Sequence, residues 1–508
     1  MALSFSSTAA LVTHASGIRA GTQNPQPFKT NNQQQQLPLK KIPGDYGLPL
    51  IGPIRDRHDY LYTQGADEYF KSRIQRHQST VLRLNMPPGP PISSNPNVIA
   101  LLDGVSFPLL FDTNKVEKKD LFTGTYMPSL ALTGGYRVLS YLDPSEPKHG
   151  LLKKFLFQIL SSRRHVVIEE FRHSFGSMFG DIEKELEKTG KADFGEFNDQ
   201  AAFGFLSKSL FGTDPESTAL GKEGPGLILK WVLFQLGPLI SIGLPSFIDD
   251  LVLRTIRLPS FLVKSDYQRL YDFFYTAASA ALSESEKIGI SKEEACHNLL
   301  FATCFNSFGG MKIFFPSLVK WISRCGARLH SKLSNEIRTA VKLHDGKVTM
   351  RAMEEMPLLK SLVYEAFRME PPVPMQYGKA KKDIIVESHD NVFKVKKGEM
   401  LFGYQPFATK DGRIFDRPEE FIAERFIGVE GERLLKHVIW SNGPESESPR
   451  LDNKQCAGKD FVILVSRLLI VELFLRYDSF DIQLETFALG TSVTITSLKK
   501  AAAPSLQT

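Results

Sequence analysis

Apolar residues recur at intervals of three to four positions over long parts of the chain, which is the spacing of helices that pack one face against a core. Glycine, proline and polar clusters interrupt this pattern and mark where each helix ends. The helical pattern covers far more of the chain than any other pattern does. It predicts helices over 146–161, 164–189, 196–211, 264–287, 291–324, 328–343, 350–369 and 459–476.

The predicted strands are fewer and shorter than the helices. Between about 64 and 102, β-prone runs such as 81–84 indicate a small sheet beside the proline-rich turn 87–91. Helices with small sheets at the edges make a mainly α fold with small β-sheets, in the α+β class. The other predicted strands are 384–386, 392–395, 480–484 and 492–495.

Composition limits the classes of function. The chain has 508 residues, 42% of them hydrophobic, which is enough for one large domain or for two or three average ones. The net charge of +6 comes from basic residues spread among acidic ones, so nucleic-acid binding is not indicated. The four cysteines, Cys296, Cys304, Cys325 and Cys456, lack disulfide or zinc-ligand spacing, which favours a reducing compartment.

The N-terminal segment differs in composition from the rest. The first 44 residues contain no Asp or Glu and are rich in Ser, Thr, Ala, Asn and Gln. This composition is typical of a plastid transit peptide, and a disordered tail is the alternative. We predict a transit peptide or disordered tail over 1–41, a single folded domain over 42–500 and a C-terminal tail over 501–508.

The sequence predicts no transmembrane span. The most apolar internal stretch, 227–248, is interrupted by Lys230, Gln235, Pro238 and Pro245, so it cannot cross a bilayer as one helix. It can still rest on a bilayer surface, so peripheral association with a plastid membrane stays open.

One cysteine lies in a setting suited to metal ligation. The run 440–461 reads W-S-N-G-P-E-S-E-S-P-R-L-D-N-K-Q-C-A-G-K-D-F, with Cys456 just before a predicted apolar helix and Gly458 two positions on. A free cysteine is often only a small buried apolar residue. A cysteine at a helix start, however, has backbone N–H groups to stabilise its thiolate, and glycine lets the backbone pass close to a porphyrin.

This run resembles the haem-thiolate loop of the cytochrome P-450 family. The resemblance to that family covers residues 45–500, approximately. It implies the cytochrome P-450 fold and a haem b cofactor with Cys456 as axial iron ligand. The common loop has glycine four positions before the cysteine, whereas this chain has Asp452 there and Gly443 much earlier. Such an insertion is a mark of the plant P-450 branch that rearranges fatty-acid hydroperoxides.

Two further motifs follow the family order. Glu365 and Arg368 lie three positions apart in a predicted helix, a spacing that by itself usually marks a weak surface ion pair. With Arg425 downstream they resemble the family's Glu-x-x-Arg and Arg-Phe elements, which implies a buried structural triad. Ala423 stands where the family commonly has proline.

Haem would bring two propionates that a buried site must neutralise. The resemblance implies that His149 and Lys153, one helical turn apart, contact them together with Lys454, and more loosely Lys118. The alternative is that each of these residues is a solvent-exposed cation.

The predicted distal helix departs from oxygen-activating relatives. Those enzymes usually carry an acid followed by threonine to deliver protons to dioxygen. This chain has no acid between Asn298 and Gly310, and Asn306 stands in the equivalent stretch. An amide can orient a peroxide by hydrogen bonding, although Asn306 could instead only satisfy a carbonyl near a kink at Gly309. The pattern indicates a hydroperoxide substrate and no need for a reductase.

The choice of product is also implied by resemblance. Phe122 and Ser140 lie in segments that resemble those of allene oxide synthases, with Phe122 where hydroperoxide lyases tend to have Leu. An aromatic face stabilises developing positive charge, and allene oxide synthases oxidise a carbon radical to a cation before losing a proton. Val373 and Pro374 are predicted to line the substrate pocket as apolar contacts.

The resemblance, together with the composition of the N-terminal segment, therefore implies a plastid hydroperoxide dehydratase of the allene oxide synthase type. Its expected substrate is a polyunsaturated fatty-acid hydroperoxide, the 13-hydroperoxide of linolenic acid being preferred, and its expected pathway is oxylipin and jasmonate synthesis. Hydroperoxide lyase or divinyl ether synthase activity on the same fold is the nearest alternative. An oxygen-dependent monooxygenase and a non-catalytic haem sensor are the alternatives from other classes.

Overall fold

The computed structural model of this protein describes residues 37–487 and 490–501. The predicted transit peptide lies outside the described residues except for its last five positions, and so does the predicted C-terminal tail after residue 501. Leu39–Lys40 already pairs with a strand of the folded body.

Helices make up most of the described chain, as the apolar periodicity predicts. The longest of them pack against one another around a single large apolar core, to which most of the helices contribute. The helices are α1 (Ile51–His58), α2 (Gly65–His77), α3 (Pro147–Ser162), α4 (Val167–Thr189), α5 (Phe194–Phe211), α6 (Gly224–Leu236), α7 (Ser246–Arg254), α8 (Lys264–Ala277), α9 (Ser279–Lys287), α10 (Lys292–Leu300), α11 (Gly309–Leu343), α12 (Met350–Glu354), α13 (Pro357–Met369), α14 (Gln405–Thr409), α15 (Gly428–Leu434) and α16 (Lys459–Arg476).

The strands form three small sheets at the edges of the helical body. A five-stranded sheet has the order β2-β3-β9-β6-β4, and its pairs are antiparallel except for the parallel pair β3 and β9. The two three-stranded sheets have the orders β1-β8-β7 and β10-β11-β5. The strands are β1 (Leu39–Lys40), β2 (Val81–Asn85), β3 (Asn97–Leu101), β4 (Val116–Glu117), β5 (Ala192–Asp193), β6 (Met375–Ala380), β7 (Ile384–Glu387), β8 (Val392–Val395), β9 (Met400–Tyr404), β10 (Tyr477–Phe487) and β11 (Gly490–Lys500).

The predicted helix 291–324 is continuous but not regular. It consists of α10, a π-helical turn over Phe301–Phe308 and the first half of α11. The predicted gap before 328 is confirmed, because Gly326 has φ 69° and ψ −167° and breaks α11 there. A left-handed φ is accessible to glycine without the steric cost that a Cβ brings.

The prediction of β structure from 64 onward was wrong at its start. Residues 65–77 form helix α2, in which Tyr69, Phe70 and Arg73 are buried. Their spacing places all three on one helical face, so packing of that face against the five-stranded sheet outweighs the local strand tendency. Strands begin only at Val81, as predicted.

Other differences are local. The predicted helix 350–369 is divided into α12 and α13 because Pro357 has no N–H for the preceding turn. Helices α6 and α7 form in and beyond the stretch 227–248, where the interruptions obscured the periodicity. Among the described helices, none combines the length and apolarity needed to span a membrane.

Candidate active site

Cys456 lies two residues before the N-cap position of α16 and is half-buried. Burial raises the pKa of its thiol, and a hydrogen bond from the Gly458 N–H together with the charge of Lys153 opposes that rise. A Cβ at Gly458 would lie 4.0 Å from the Cys456 sulfur. The helix start thus directs a donor at the sulfur and leaves open space beside it, as a thiolate ligand needs.

The insertion before Cys456 is held in place by residues that the sequence did not single out. Gln455 Nε2 donates to the Pro444 carbonyl at 2.7 Å, and Lys459 Nζ donates to the Glu445 and Glu447 carbonyls at 2.8 and 2.9 Å. A lysine in the first turn of a helix opposes the helix dipole. That unfavourable position was the available signal that Lys459 has a specific partner.

Glu365, Arg368 and Arg425 meet in one buried cluster. Arg368 Nε and Nη2 donate to the Glu365 carboxylate at 2.7 and 2.8 Å, and Arg425 Nε lies 3.0 Å from both carboxylate oxygens. The Glu365 and Arg368 side chains are 0% exposed and that of Arg425 is 5% exposed. The Ile422 N–H also donates to Glu365. The charges are therefore satisfied inside the protein and leave nothing for a ligand.

Three lysines and a histidine collect on the side of Cys456 that faces α3. Lys153 Nζ donates to the Asn453 carbonyl at 2.6 Å, and His149 Nδ1 donates to the Leu451 carbonyl at 3.1 Å. Lys454 Nζ donates to the Leu139 and Ser140 carbonyls at 2.8 and 3.1 Å, and Lys118 Nζ donates to the Tyr377 carbonyl at 2.6 Å. None of the four pairs with a carboxylate within the described ranges 37–487 and 490–501.

Within the described residues these groups have no ion-pair partner, and only the longer-range attraction of acids such as Asp143 offsets their charges. Burial and the repulsion of Lys454 lower the pKa of Lys118 to about 7, and burial and the repulsion of Lys153 do the same to Lys454. Burial lowers the pKa of Lys153 to about 8, and burial with the two lysines Lys454 and Lys153 lowers that of His149 to about 4. An excess of buried positive charge beside a half-buried cysteine fits the two propionates of haem.

Asn306 lies in the π-helical turn Phe301–Phe308 and is the exposed residue of an otherwise buried or half-buried stretch. Its amide makes no hydrogen bond to any side chain or backbone group that the structure describes. Ser307, its neighbour, bonds instead to the Ala302 carbonyl at 3.0 Å. π-Turns occur frequently at functional sites, and a free amide on such a turn can serve a ligand.

Phe122 packs against the same turn. Its ring centroid lies 5.5 Å from that of Phe305, 5.9 Å from Phe301 and 6.1 Å from Tyr141, in edge or tilted arrangements. Trp231 of α6 adds a further ring, 5.9 Å from Phe301. Phe301 and Phe305 belong to the same π-helical turn as Asn306, so Phe122 packs on the turn that carries the free amide. We call Phe122, Tyr141, Trp231, Phe301 and Phe305 the aromatic cage.

The remaining predicted residues make few contacts with the other site residues. Ser140 lies in the short 3₁₀ turn Leu139–Tyr141 and meets Lys454 through its carbonyl, while its hydroxyl makes no hydrogen bond within the described residues. Val373 is 46% exposed in the loop after α13, and the Pro374 carbonyl accepts a hydrogen bond from the Gln405 N–H. The assignment of Val373 and Pro374 to the substrate pocket stays a prediction.

Comparison with known proteins gives consistent matches. Residues 328–480 match the family model of cytochrome P-450. The chain is 66% identical over 469 residues to a protein named allene oxide synthase 1, chloroplastic, from Solanum lycopersicum, covering 92% of this chain and 88% of that protein. It is 62% identical over 469 residues to allene oxide synthase 1, chloroplastic, from Oryza sativa subsp. japonica, covering 92% of each. It is 60% identical over 472 residues to allene oxide synthase, chloroplastic, from Arabidopsis thaliana, covering 93% of this chain and 91% of that protein.

Proposed function

The chain belongs to the cytochrome P-450 family, among its allene oxide synthases, and from that premise we propose how its residues dehydrate a fatty-acid hydroperoxide. The activity is that of a hydroperoxide dehydratase, a lyase, with a haem-thiolate cofactor. We propose the 13-hydroperoxide of linolenic acid as the substrate. Loss of water from a hydroperoxide is redox-neutral overall, because the peroxide is reduced while carbon of the same molecule is oxidised. The reaction therefore needs no external oxidant or reductant.

Cys456 is the residue that we propose would ligate the haem iron. When bound, haem would supply the iron chemistry that cleaves the O–O bond of the substrate. Cys456 meets the geometric needs of the ligand, because the Gly458 N–H stabilises the thiolate and glycine leaves room beside the sulfur. Lys118, His149, Lys153 and Lys454 would hold the propionates, whose negative charge would relieve their mutual repulsion.

The free amide of Asn306 is the observation that carries the proposal for catalysis. Asn306 is exposed within the π-turn, has no hydrogen-bond partner among the described residues and shares that turn with Phe301 and Phe305 of the aromatic cage. Its Nδ2 would donate a hydrogen bond to the peroxide and hold the O–O bond in one orientation. The turn has no acid that could relay protons, which supports a reaction without dioxygen.

Phe122 is the proposed product-determining residue. Its ring is held edge-on by Phe301 and Phe305, so one face can remain towards the substrate. A π-face stabilises positive charge that develops on an adjacent carbon. That stabilisation would favour the route that ends in net loss of water and gives an allene oxide over the route that returns hydroxyl to carbon and gives lyase products. Ser140 precedes Tyr141 of the aromatic cage in the chain and has a hydroxyl without a hydrogen-bond partner among the described residues, and we propose that it contacts the substrate.

The proposed location is the plastid, with the enzyme resting on a membrane surface. The curated relatives quoted above are named chloroplastic. Exposed apolar side chains lie on two neighbouring helices, Ile51 of α1 at 64% and Phe247 and Leu251 of α7 at 72% and 64%. The ion pair between Arg57 and Asp250, at 2.6 Å, joins the two helices.

Basic residues border this apolar face and support an anionic lipid surface as its partner. Arg55 lies on α1 and Arg257 three residues after α7, and both are exposed. Cosedimentation with anionic vesicles should therefore fall in a Phe247→Ser, Leu251→Ser double variant. Leu343→Ser is the matched control, because Leu343 is 70% exposed elsewhere, at the end of α11. Unchanged sedimentation of the double variant would exclude this face.

The experiment that tests the proposed reaction is anaerobic turnover. The haem-loaded protein is incubated under argon with the 13-hydroperoxide of linolenic acid, without NADPH, and the products are identified. We expect α- and γ-ketols, the hydrolysis products of an allene oxide. A strict requirement for oxygen or NADPH would instead identify a monooxygenase, and short-chain aldehydes as the main products would identify a lyase.

A further inference from the structure

The turn Leu139–Tyr141 connects the thiolate loop to the distal helix. The Leu139 N–H donates to Asn298 Oδ1 of α10 at 2.8 Å. The Leu139 carbonyl accepts from Lys454, two residues before Cys456, at 2.8 Å. The turn is therefore fixed from both sides of the site by hydrogen bonds, and its last residue, Tyr141, has a defined position.

The Tyr141 ring packs against the Phe122 ring. Its ring centroid lies 6.1 Å from that of Phe122 and 5.6 Å from that of Phe301, and Tyr141 is 1% exposed. Its carbonyl accepts a hydrogen bond from the Asp120 N–H at 2.8 Å, two residues before Phe122. Movement of Tyr141 would therefore move the Phe122 segment through both the ring contact and the backbone.

Helix α6 holds Tyr141 through one polar side chain. The Tyr141 hydroxyl donates to Gln235 Oε1 at 3.0 Å, and Gln235 is 1% exposed near the end of a mostly apolar helix. Gln235 Nε2 is buried and has no hydrogen-bond partner among the described residues. A buried amide with an unpaired N–H₂ group lowers stability, so stability alone does not account for glutamine at this position.

We propose that Gln235 is a positioning residue for product choice. By holding the Tyr141 hydroxyl it fixes the Tyr141 ring, and the Tyr141 ring fixes the face that Phe122 presents to the substrate. This inference rests on the proposed function, in which Phe122 favours allene oxide over lyase products. Because α6 belongs to the same cage through Trp231, the hydrogen bond couples the position of that helix to Phe122.

The test is a double-mutant cycle read out in products. Tyr141→Phe, Gln235→Leu and the double variant are each turned over with the 13-hydroperoxide, and the ratio of short-chain aldehydes to ketols is measured. Each single change should raise that ratio about two- to tenfold, the range that corresponds to one net hydrogen bond. The double variant should show no further rise, because both changes remove the same bond.

Two controls separate positioning from general loosening. Tyr136→Phe removes another tyrosine hydroxyl bond, from the half-buried Tyr136 to Glu293, and should leave the ratio as in the parent. Tyr141→Phe in a Phe122→Leu background should have a much smaller effect than in the parent, because the ring it positions is gone. Haem content and the carbonyl spectrum are expected to match the parent in Tyr141→Phe.

Several outcomes would overturn the inference. It is wrong if Tyr141→Phe leaves the ratio unchanged in folded, haem-loaded protein, or if its effect persists undiminished in the Phe122→Leu background. It is also wrong if the two single effects multiply in the double variant. Tyr141→Phe keeps the ring and therefore decides the question even if Gln235→Leu does not accumulate. A parent that makes no ketols would instead refute the proposed function, whereas a parent whose ratio responds to Phe122→Leu but not to Tyr141→Phe refutes this inference alone.

Discussion

The two sides of the site differ in how their key polar side chains are satisfied: by paired buried charges on one side, and not at all within the protein on the other. On the proximal side, which comprises the Glu365 cluster and the loop around Cys456, the charged side chains of Glu365 and Arg368 are fully buried and paired. On the distal side, which comprises the π-turn Phe301–Phe308 and the aromatic cage, Asn306 is exposed and has no partner among the described residues. Satisfied buried charges fix structure, whereas an unsatisfied amide on an exposed position of the turn is available to a ligand. The proximal side should therefore respond to mutation in folding and cofactor binding, and the distal side in turnover.

The largest effect is expected at Cys456, the proposed iron ligand. Cys456→Ser removes the thiolate while changing one atom, so activity should be abolished. The reduced carbonyl complex should lose the thiolate-type Soret band. A variant that kept both the band and the activity would show that another residue ligates the iron.

A large loss of stability is expected within the proximal cluster. Glu365→Ala leaves Arg368 and Arg425 buried without a counter-charge, which typically costs about 3–5 kcal/mol. Little haem-loaded protein should accumulate, and its thermal unfolding should shift strongly downward. Glu424→Ala is the matched control, since Glu424 pairs with Lys332 at a site where both side chains are about half exposed (44% and 45%). An equal effect of both changes would mean that the cluster is no more structural than a surface pair.

Turnover, and not stability, is expected to change in the distal turn. Asn306→Ala should slow turnover by about 10²–10³, the usual cost of one transition-state hydrogen bond, while haem binding is kept. Single-turnover rates and haem content measured on the same preparation separate the two effects. Parental turnover would return Asn306 to a purely structural role.

The aromatic cage should control the product more than the rate. Phe122→Leu keeps bulk but removes the π-face, so part of the flux should pass from ketols to short-chain aldehydes, with a change in ratio of roughly tenfold or less. Product analysis by chromatography measures the ratio. Products in the parental ratio would mean that Phe122 only packs against Phe301 and Phe305.

The last effect is confined to acid pH and concerns stability at the start of the distal helix. His297 is buried among Tyr136, Tyr267 and Tyr271, with Glu293 nearby, and burial lowers its pKa to about 4. The ordinary pKa of histidine is about 6.5, so below that pH the unfolded chain binds a proton that the folded protein does not. Stability should therefore fall as the pH decreases from about 6.5 towards about 4.

The measurement is thermal unfolding as a function of pH for the parent and for His297→Asn. Asparagine keeps a hydrogen-bonding group for the Tyr267 hydroxyl, which lies 2.7 Å from His297 Nδ1, but does not titrate. The variant should lose less stability than the parent between pH 6.5 and 4. Parallel curves would show that protonation of His297 has no part in acid unfolding.

Local features of the site could be predicted from the sequence. Cys456 and Gly458 ahead of an apolar helix, Glu365 and Arg368 on one helical face, and the helix break near Gly326 all depend on residues within one or two turns of each other. Helix geometry fixes such neighbours, so spacing alone is informative. The resemblance added Phe122, Asn306 and Arg425, which spacing alone would not have singled out.

Long-range contacts could not be predicted in this way. The sequence pattern missed α2, because the burial of its face depends on the sheet beneath it. It also missed the bonds of Gln455 and Lys459 to the inserted loop, since a backbone carbonyl gives no signal in the sequence.

By itself, then, the sequence determined the helical class, the break points and the residues at the helix start where a thiolate can be stabilised, because these follow from periodicity, glycine and helix ends. The tertiary structure decided which distant side chains share the site. Arg425 reaches Glu365 across 60 positions, and Tyr141 reaches Gln235 across 94. The physical reason is that burial, not sequence distance, selects partners: a charged or polar group removed from water must find another inside, and only the packed fold determines which one is there.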